Sequence, residues 1–138
     1  MPLYLGIDFG TTGVRTSVIN ENKEELINYS VSIESPISKG SLVYQNPNLW
    51  WDALLKNFQF LKSKVNLEEI KRLSIDGTSG TVLITDELGK PLDHALMYND
   101  ASSVKEAEYT EVISSGHPIV SSPTNALVRA LKKKKKNS

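Results

Sequence analysis

The sequence has 138 residues, 16 basic and 16 acidic side chains and a hydrophobic fraction of 39%, enough apolar material for one ordinary domain or a piece of a larger one. It contains no cysteine and only two histidines, His94 and His117, far apart in the chain; disulfides, thiolate catalysis and cysteine-ligated zinc are excluded, and a histidine-built metal site is disfavoured. No apolar run approaches the ~20 residues of a membrane span, and Met1–Gly6 lacks the basic start of a secretory signal, so a cytoplasmic location with no membrane partner is expected.

The neutral total hides an asymmetry. Six of the 16 basic residues, Arg129 and Lys132–Lys136, fall in the last ten positions, leaving ten basic against 16 acidic residues in 1–128. An acidic body argues against a nucleic-acid surface. The lysine run reads as a solvated charge run, with residues 132–138 expected to be frayed or disordered because adjacent ammonium groups repel.

In chain order, Leu3–Asp8 is apolar, short and ended by a Gly/Thr turn, the pattern of a buried strand. Val14–Ile19 alternates as a second strand. Leu26–Ile33 forms a third, with Ile27, Tyr29, Val31 and Ile33 on one face. Short turns between the three predict an antiparallel meander. Residues 34–45 carry Pro36, Gly40 and several serines and are expected to be loop. Asn46 as N-cap and Pro47 at the first turn then open a helix, on which Trp50, Leu54, Phe58, Leu61 and Val65 share one face. Arg72–Asp76 and Thr81–Asp86 read as strands, Glu87–Pro91 as a hairpin-type turn with Asp86 serving it, and Ala95–Tyr98 as a further short strand. Val104–Ile113 is a predicted helix ended by Gly116 and His117-Pro118, and Pro123–Leu131 a weaker one. The order is mixed α/β rather than a simple βαβ alternation.

Two segments carry chemistry. In Gly6-Ile7-Asp8-Phe9-Gly10-Thr11-Thr12-Gly13-Val14-Arg15, glycines 10 and 13 let the backbone approach a ligand and adopt positive φ, and successive amides would form an anion nest. Thr11 and Thr12 add hydroxyls, Arg15 a permanent charge, and Asp8 a hard oxygen ligand suited to Mg²⁺. The set suits a magnesium nucleotide; the competing interpretation is a hairpin whose glycines only satisfy turn geometry. No Gly-Lys-Ser/Thr follows, and the turn joins two strands, so this is neither a P-loop nor a dinucleotide fingerprint.

The second segment is Ser74-Ile75-Asp76-Gly77-Thr78-Ser79-Gly80-Thr81-Val82-Leu83-Ile84-Thr85-Asp86, followed by Gly89-Lys90-Pro91-Leu92 and Ala95-Leu96-Met97-Tyr98-Asn99-Asp100-Ala101. In order and spacing it resembles the FGGY carbohydrate kinases, most of all the ribulokinase and xylulokinase group, and Gln45–Trp51 resembles that family's segment before its first long helix. The resemblance runs from about Leu3 to Leu131.

It implies a ribonuclease-H-like α/β domain of the actin and sugar kinase superfamily, here a partial N-terminal domain (3–131), with the second kinase domain absent. It implies ATP and Mg²⁺ as cofactors and phosphorylation of a sugar hydroxyl, on a pentulose such as ribulose or xylulose. Asp8 would match the magnesium-associated aspartate, and Gly10, Thr11, Thr12, Gly13 and Arg15 the loop at the nucleotide phosphates. Thr78 and Ser79 lie where xylulokinases place a Met-His pair against the sugar, and Asn99 and Asp100 match a sugar-contacting Asn-Asp. An Asx turn or a cap before Val104 is the structural alternative for that pair. Ser102 stands where the family usually has arginine, which is expected to weaken a polar contact or local salt bridge. The catalytic base is expected in the absent domain, so no catalytic residue is assigned here. Either a second polypeptide completes the site, or the chain is a non-catalytic fragment with weak sugar or nucleotide binding at most.

Overall fold

Three strands of eight residues dominate the first half of the chain. The computed structural model describes residues 1–114 and 121–136. Strands β1 (Leu3–Gly10), β2 (Gly13–Asn20) and β3 (Glu25–Ser32) form the expected antiparallel meander. Strand β6 (Ile70–Gly77) adds to β1 in parallel, giving the sheet order β3-β2-β1-β6. Helix α1 (Asn48–Lys62) and a 3₁₀ turn (Leu67–Glu69) precede β6 in the chain.

The chain divides into two compact units. Unit 1 comprises residues 1–35 and 48–78, and unit 2 residues 36–47 and 79–138. In unit 1 the period-2 pattern places Leu3, Leu5, Ile7, Val14 and Val18 on one sheet face, where they bury with Ala53, Leu54 and Leu61 of α1. Trp50 and Phe58 pack around this core, so the face read from the spacing on α1 is the face that packs, except that the helix ends at Lys62 and Val65 joins the core from beyond it. One polar pair sits inside it. Thr16 donates to Asn57 Oδ1 at 2.9 Å, and Asn57 Nδ2 donates to the carbonyls of Val14 and Ala53 at 3.1 and 2.9 Å. Both side chains are fully buried, and every bond one of them lost would leave a buried orphan.

Unit 2 departs from the expectations more often. Residues 34–45 are not all loop: β4 (Ile37–Lys39) and β5 (Leu42–Gln45) form a hairpin. Its turn is made by Gly40, whose φ of 61° is one that side-chain-bearing residues rarely take. The three-stranded sheet is completed by β7 (Ala95–Leu96), in the order β4-β5-β7. Thr81–Asp86 is not a strand. It makes two isolated bridges, Val82 with Leu96 and Thr85 with Pro91. The turn at 87–91 is present, with Asp86 Oδ1 accepting the Leu88 and Lys90 amides at 3.0 and 2.8 Å.

Helix α2 (Val104–Ile113) falls where the spacing put it, while Gly116 and His117-Pro118 lie outside the described residues. Helix α3 (Ala126–Lys136) begins later than expected and includes the lysines expected to fray. Tertiary partners account for this. Lys133 is buried and pairs with Asp93 at 3.0 Å, Lys136 reaches the same carboxylate at 2.8 Å, and Lys135 lies 3.6 Å from Glu106. Cations at a helix C-terminus are also favoured by the helix dipole, and these gains exceed i,i+4 repulsions of only about 0.2–0.5 kcal/mol per pair.

Candidate functional site

The Gly/Thr turn of unit 1 is a tight hairpin. The β1–β2 ladder runs to the pair Gly10–Gly13, leaving Thr11 and Thr12 as the loop. Neither glycine has a positive φ, contrary to the expectation of a left-handed anion nest. Gly13 is required by packing instead: a Cβ there would sit 2.7 Å from the Val31 carbonyl oxygen of the neighbouring strand. The loop is held from three sides. Trp50 Nε1 donates to the Gly10 carbonyl at 2.9 Å, the Ile33 amide donates to the Thr12 carbonyl at 2.9 Å, and the Thr78 amide donates to the Phe9 carbonyl at 3.1 Å. Thr11 and Thr78 meet through their hydroxyls at 3.4 Å, which brings the first and second motifs together within this unit. Thr12 and Arg15 remain exposed to ligands.

Asp8 and Arg15 face away from α1, on the open side of the sheet. They face each other across the β1–β2 ladder, and in the parallel register of β1 and β6 Asp8 stands beside Asp76. These three charged residues, with Gly6, Ser17 and Ser74, line a cavity of about 210 Å³. Two exposed carboxylates with room for water fit an octahedral Mg²⁺, which keeps several waters and takes one or two carboxylates. Among the described residues no group of three or more acids or histidines forms an all-protein cage. Arg15 adds a guanidinium to the same cavity.

In unit 2, Ser79 and Asn99 are exposed, whereas Asp100 is fully buried. Its Oδ2 accepts the Val43 amide at 2.8 Å, its Oδ1 accepts the Ser102 amide at 3.2 Å, and the Ser102 hydroxyl lies 2.9 Å from both oxygens. The turn to Ser102 is the Asx turn that was the structural alternative, and an openly presented sugar ligand at Asp100 is not what the structure contains. Ser102 does not leave the expected gap. Its hydroxyl and carbonyl are met by Lys132 Nζ at 2.6 and 3.0 Å. Arg129 is also buried and donates to the carbonyls of Gly80, Met97 and Tyr98. Burial lowers its affinity for a proton, and the charge of Asp100 opposes that change.

Residues 3–126 match the model of the N-terminal domain of the FGGY family of carbohydrate kinases. The chain belongs to this family. It is 26% identical over 108 residues to the xylulose kinase of Staphylococcus xylosus, covering 78% of this chain and 22% of that protein. It is also 26% identical over 128 residues to the glycerol kinase of Aquifex aeolicus, covering 89% and 26%. The fold is that of the sugar kinases. A ligand-bound xylulose kinase from Lactobacillus acidophilus superposes with a TM-score of 0.81 at 16% identity, over 99% of this chain and 29% of that one. A "xyloylose kinase" from Brucella ovis gives 0.82 at 19%, over 98% and 30%. The chain therefore spans about a quarter of the length of its relatives.

Two residues of this FGGY domain were not singled out from the sequence as parts of a phosphate site. Asp76 is one, although the signal was present: Ile75-Asp76-Gly77-Thr78 repeats the type of strand ending seen at Ile7-Asp8-Phe9-Gly10-Thr11. Trp50 is the other; its spacing marks it as core, and only the fold shows its indole N–H anchoring the hairpin at Gly10. Among the described residues no helix is long and apolar enough to cross a membrane.

Proposed function

We propose that this chain contributes the nucleotide-phosphate and magnesium side of an ATP-dependent sugar kinase acting on a pentulose such as xylulose or ribulose. The observation that carries the proposal is the grouping of Asp8, Asp76 and Arg15 around one cavity at the end of β1, β2 and β6, in an FGGY domain whose relatives include xylulose kinases. ATP with a divalent metal is the phosphoryl source expected of such a kinase. When bound, the metal supplies neutralisation of charge on the transferring phosphoryl group. Asp8, with Asp76 beside it, would hold the metal. Arg15 and the Thr11 and Thr12 hydroxyls orient phosphate oxygens, and Gly10 and Gly13 keep the hairpin tight enough to present them. Thr78, Ser79 and Asn99 contribute to the sugar side. Asp100 acts there by fixing the backbone next to Asn99. The base that deprotonates the sugar comes from the remainder of the kinase, as a further domain or a second polypeptide.

Co-expression of this chain with the rest of the Staphylococcus xylosus xylulose kinase tests the proposal. Xylulose-dependent release of ADP is expected, with a loss of about 10²-fold or more in Asp8→Ala and Arg15→Ala, comparable to removing one transition-state donor. The chain by itself is expected to show no sugar-dependent turnover. If the combined polypeptides assemble, bind ATP and release no ADP, the chain is the non-catalytic fragment.

A further inference from the structure

The sugar-kinase reading leaves a built cavity of the molecule without a use. It lies in unit 2, has a volume of about 380 Å³, and is lined by none of the residues assigned above to nucleotide, metal or sugar. Helical geometry assembles it. On α3, Lys136 lies four residues from Lys132 and three from Lys133, the spacings that make helix neighbours, and Lys39 from β4 joins them. Four ammonium groups thus line the cavity against a single carboxylate, Asp93. That carboxylate is already shared by Lys133 and Lys136, and Lys132 is held by the neutral Ser102. Lys39 lies 5.9 Å from the centre of the Tyr44 ring, and the ion pairs found among the described residues do not include it. The floor is apolar, made by Leu42 and Leu96, with the Tyr44 ring tilted against His94 at 5.1 Å.

We propose that this cavity is a binding site for a small phosphate monoester, the phosphate taken by Lys39, Lys132 and Lys136 and the carbon skeleton laid against Leu42, Leu96 and Tyr44. Lysine ammonium groups are suited to phosphate as point charges. The volume is within the range of about 300–1,000 Å³ typical of small-molecule sites, which also combine an apolar lining with few polar groups. Lys133 has a different part: buried and paired, it fixes the helix face that presents the other two.

Calorimetric titration of the chain with phenyl phosphate, inorganic phosphate and benzyl alcohol tests this. Saturable binding of phenyl phosphate is expected, weaker binding of inorganic phosphate, and none of benzyl alcohol. Lys39→Gln with Lys136→Gln should lower phenyl phosphate affinity by about tenfold or more. Lys134→Gln, on the same helix but outside the cavity, should leave it within about twofold. Far-ultraviolet circular dichroism should show both proteins folded. The proposal is overturned if phenyl phosphate shows no saturable binding up to about 10 mM, or if Lys134→Gln weakens binding as much as the double variant, which would mean diffuse attraction to a basic helix. Equal affinity for phosphate and phenyl phosphate would remove the role given to the apolar floor and reduce the site to a phosphate subsite, contrary to the proposal.

Discussion

The two units are held together by different physics. Unit 1 buries Leu3, Leu5, Ile7, Val14, Val18 and Leu61 with three uncharged polar residues, Thr16, Asn57 and Asn20. Unit 2 buries Ala95, Leu96, Met97, Ala107 and Val128, together with Asp100, Glu106, Arg129 and Lys133. Burying a side chain of the first kind contributes about 1.5–3 kcal/mol with no directional demand. Burying one of the second kind is tolerated only when its partners are in place. The consequence is a difference in how the candidate sites are supported. The hairpin at Gly10–Gly13 rests on an apolar core and a few backbone bonds, so the charged groups beside it stay at the surface. The Asn99–Asp100 segment is instead tied into the charge network that forms its unit.

The contrast should be sharpest at Arg129. Replacing it with methionine keeps the bulk and removes the bonds to three carbonyls and the positive charge near Asp100. Removing one partner of a buried charged network costs about 3–5 kcal/mol. Residue-level hydrogen exchange should show protection lost in α3 and β7 and retained in β1 and β2. Uniform loss throughout the chain would mean that the two units are not separable in this way.

Leu61→Ala is the matching test in unit 1. The side chain is completely buried, and truncation of a core leucine costs about 2–5 kcal/mol. Urea melting should report the loss, with exchange now rising first in α1 and β2 and the Arg129 bonds unaffected.

Acid should separate the units with the smallest effect. The Lys136 ammonium, hydrogen-bonded to Asp93, holds that carboxyl well below the usual range; burial opposes this, and Lys133 and the His94 amide reinforce it. Its folded pKa is thus depressed below the unfolded value of about 3.9, so its stabilisation is present above that value and is lost as the pH falls towards the folded one. The C-terminal turns of α3 should lose protection below about pH 4, followed by NMR through the lysine amides. In Asp93→Asn the acid dependence of those turns should be flattened. An unchanged acid response in that variant would assign it to other carboxylates.

What was legible in the sequence follows the same division. Strands β1 to β3 and the buried stripe of α1 could be read because apolar periodicity is local: each residue announces its face through neighbours two, three or four positions away. The glycine turn and the acidic strand end could be located too, as could the family they resemble. The sequence did not disclose that Gly13 serves the packing of β3, because the atom it must avoid belongs to Val31. Nor did it disclose Asp76 beside Asp8, which needs the parallel pairing of strands more than sixty residues apart.

Polar partners are settled at still longer range. Asp100 is answered by Val43, Ser102 by Lys132, and Asp93 by Lys133 and Lys136, at separations of 57, 30, 40 and 43 residues. A lysine run considered alone repels itself and should fray; placed against Asp93 and Glu106 it becomes the end of a helix. Hydrophobic burial needs only a face, and a face is written in local spacing. A hydrogen bond or an ion pair needs one particular atom at about 3 Å, and only the tertiary structure decides which atom that is.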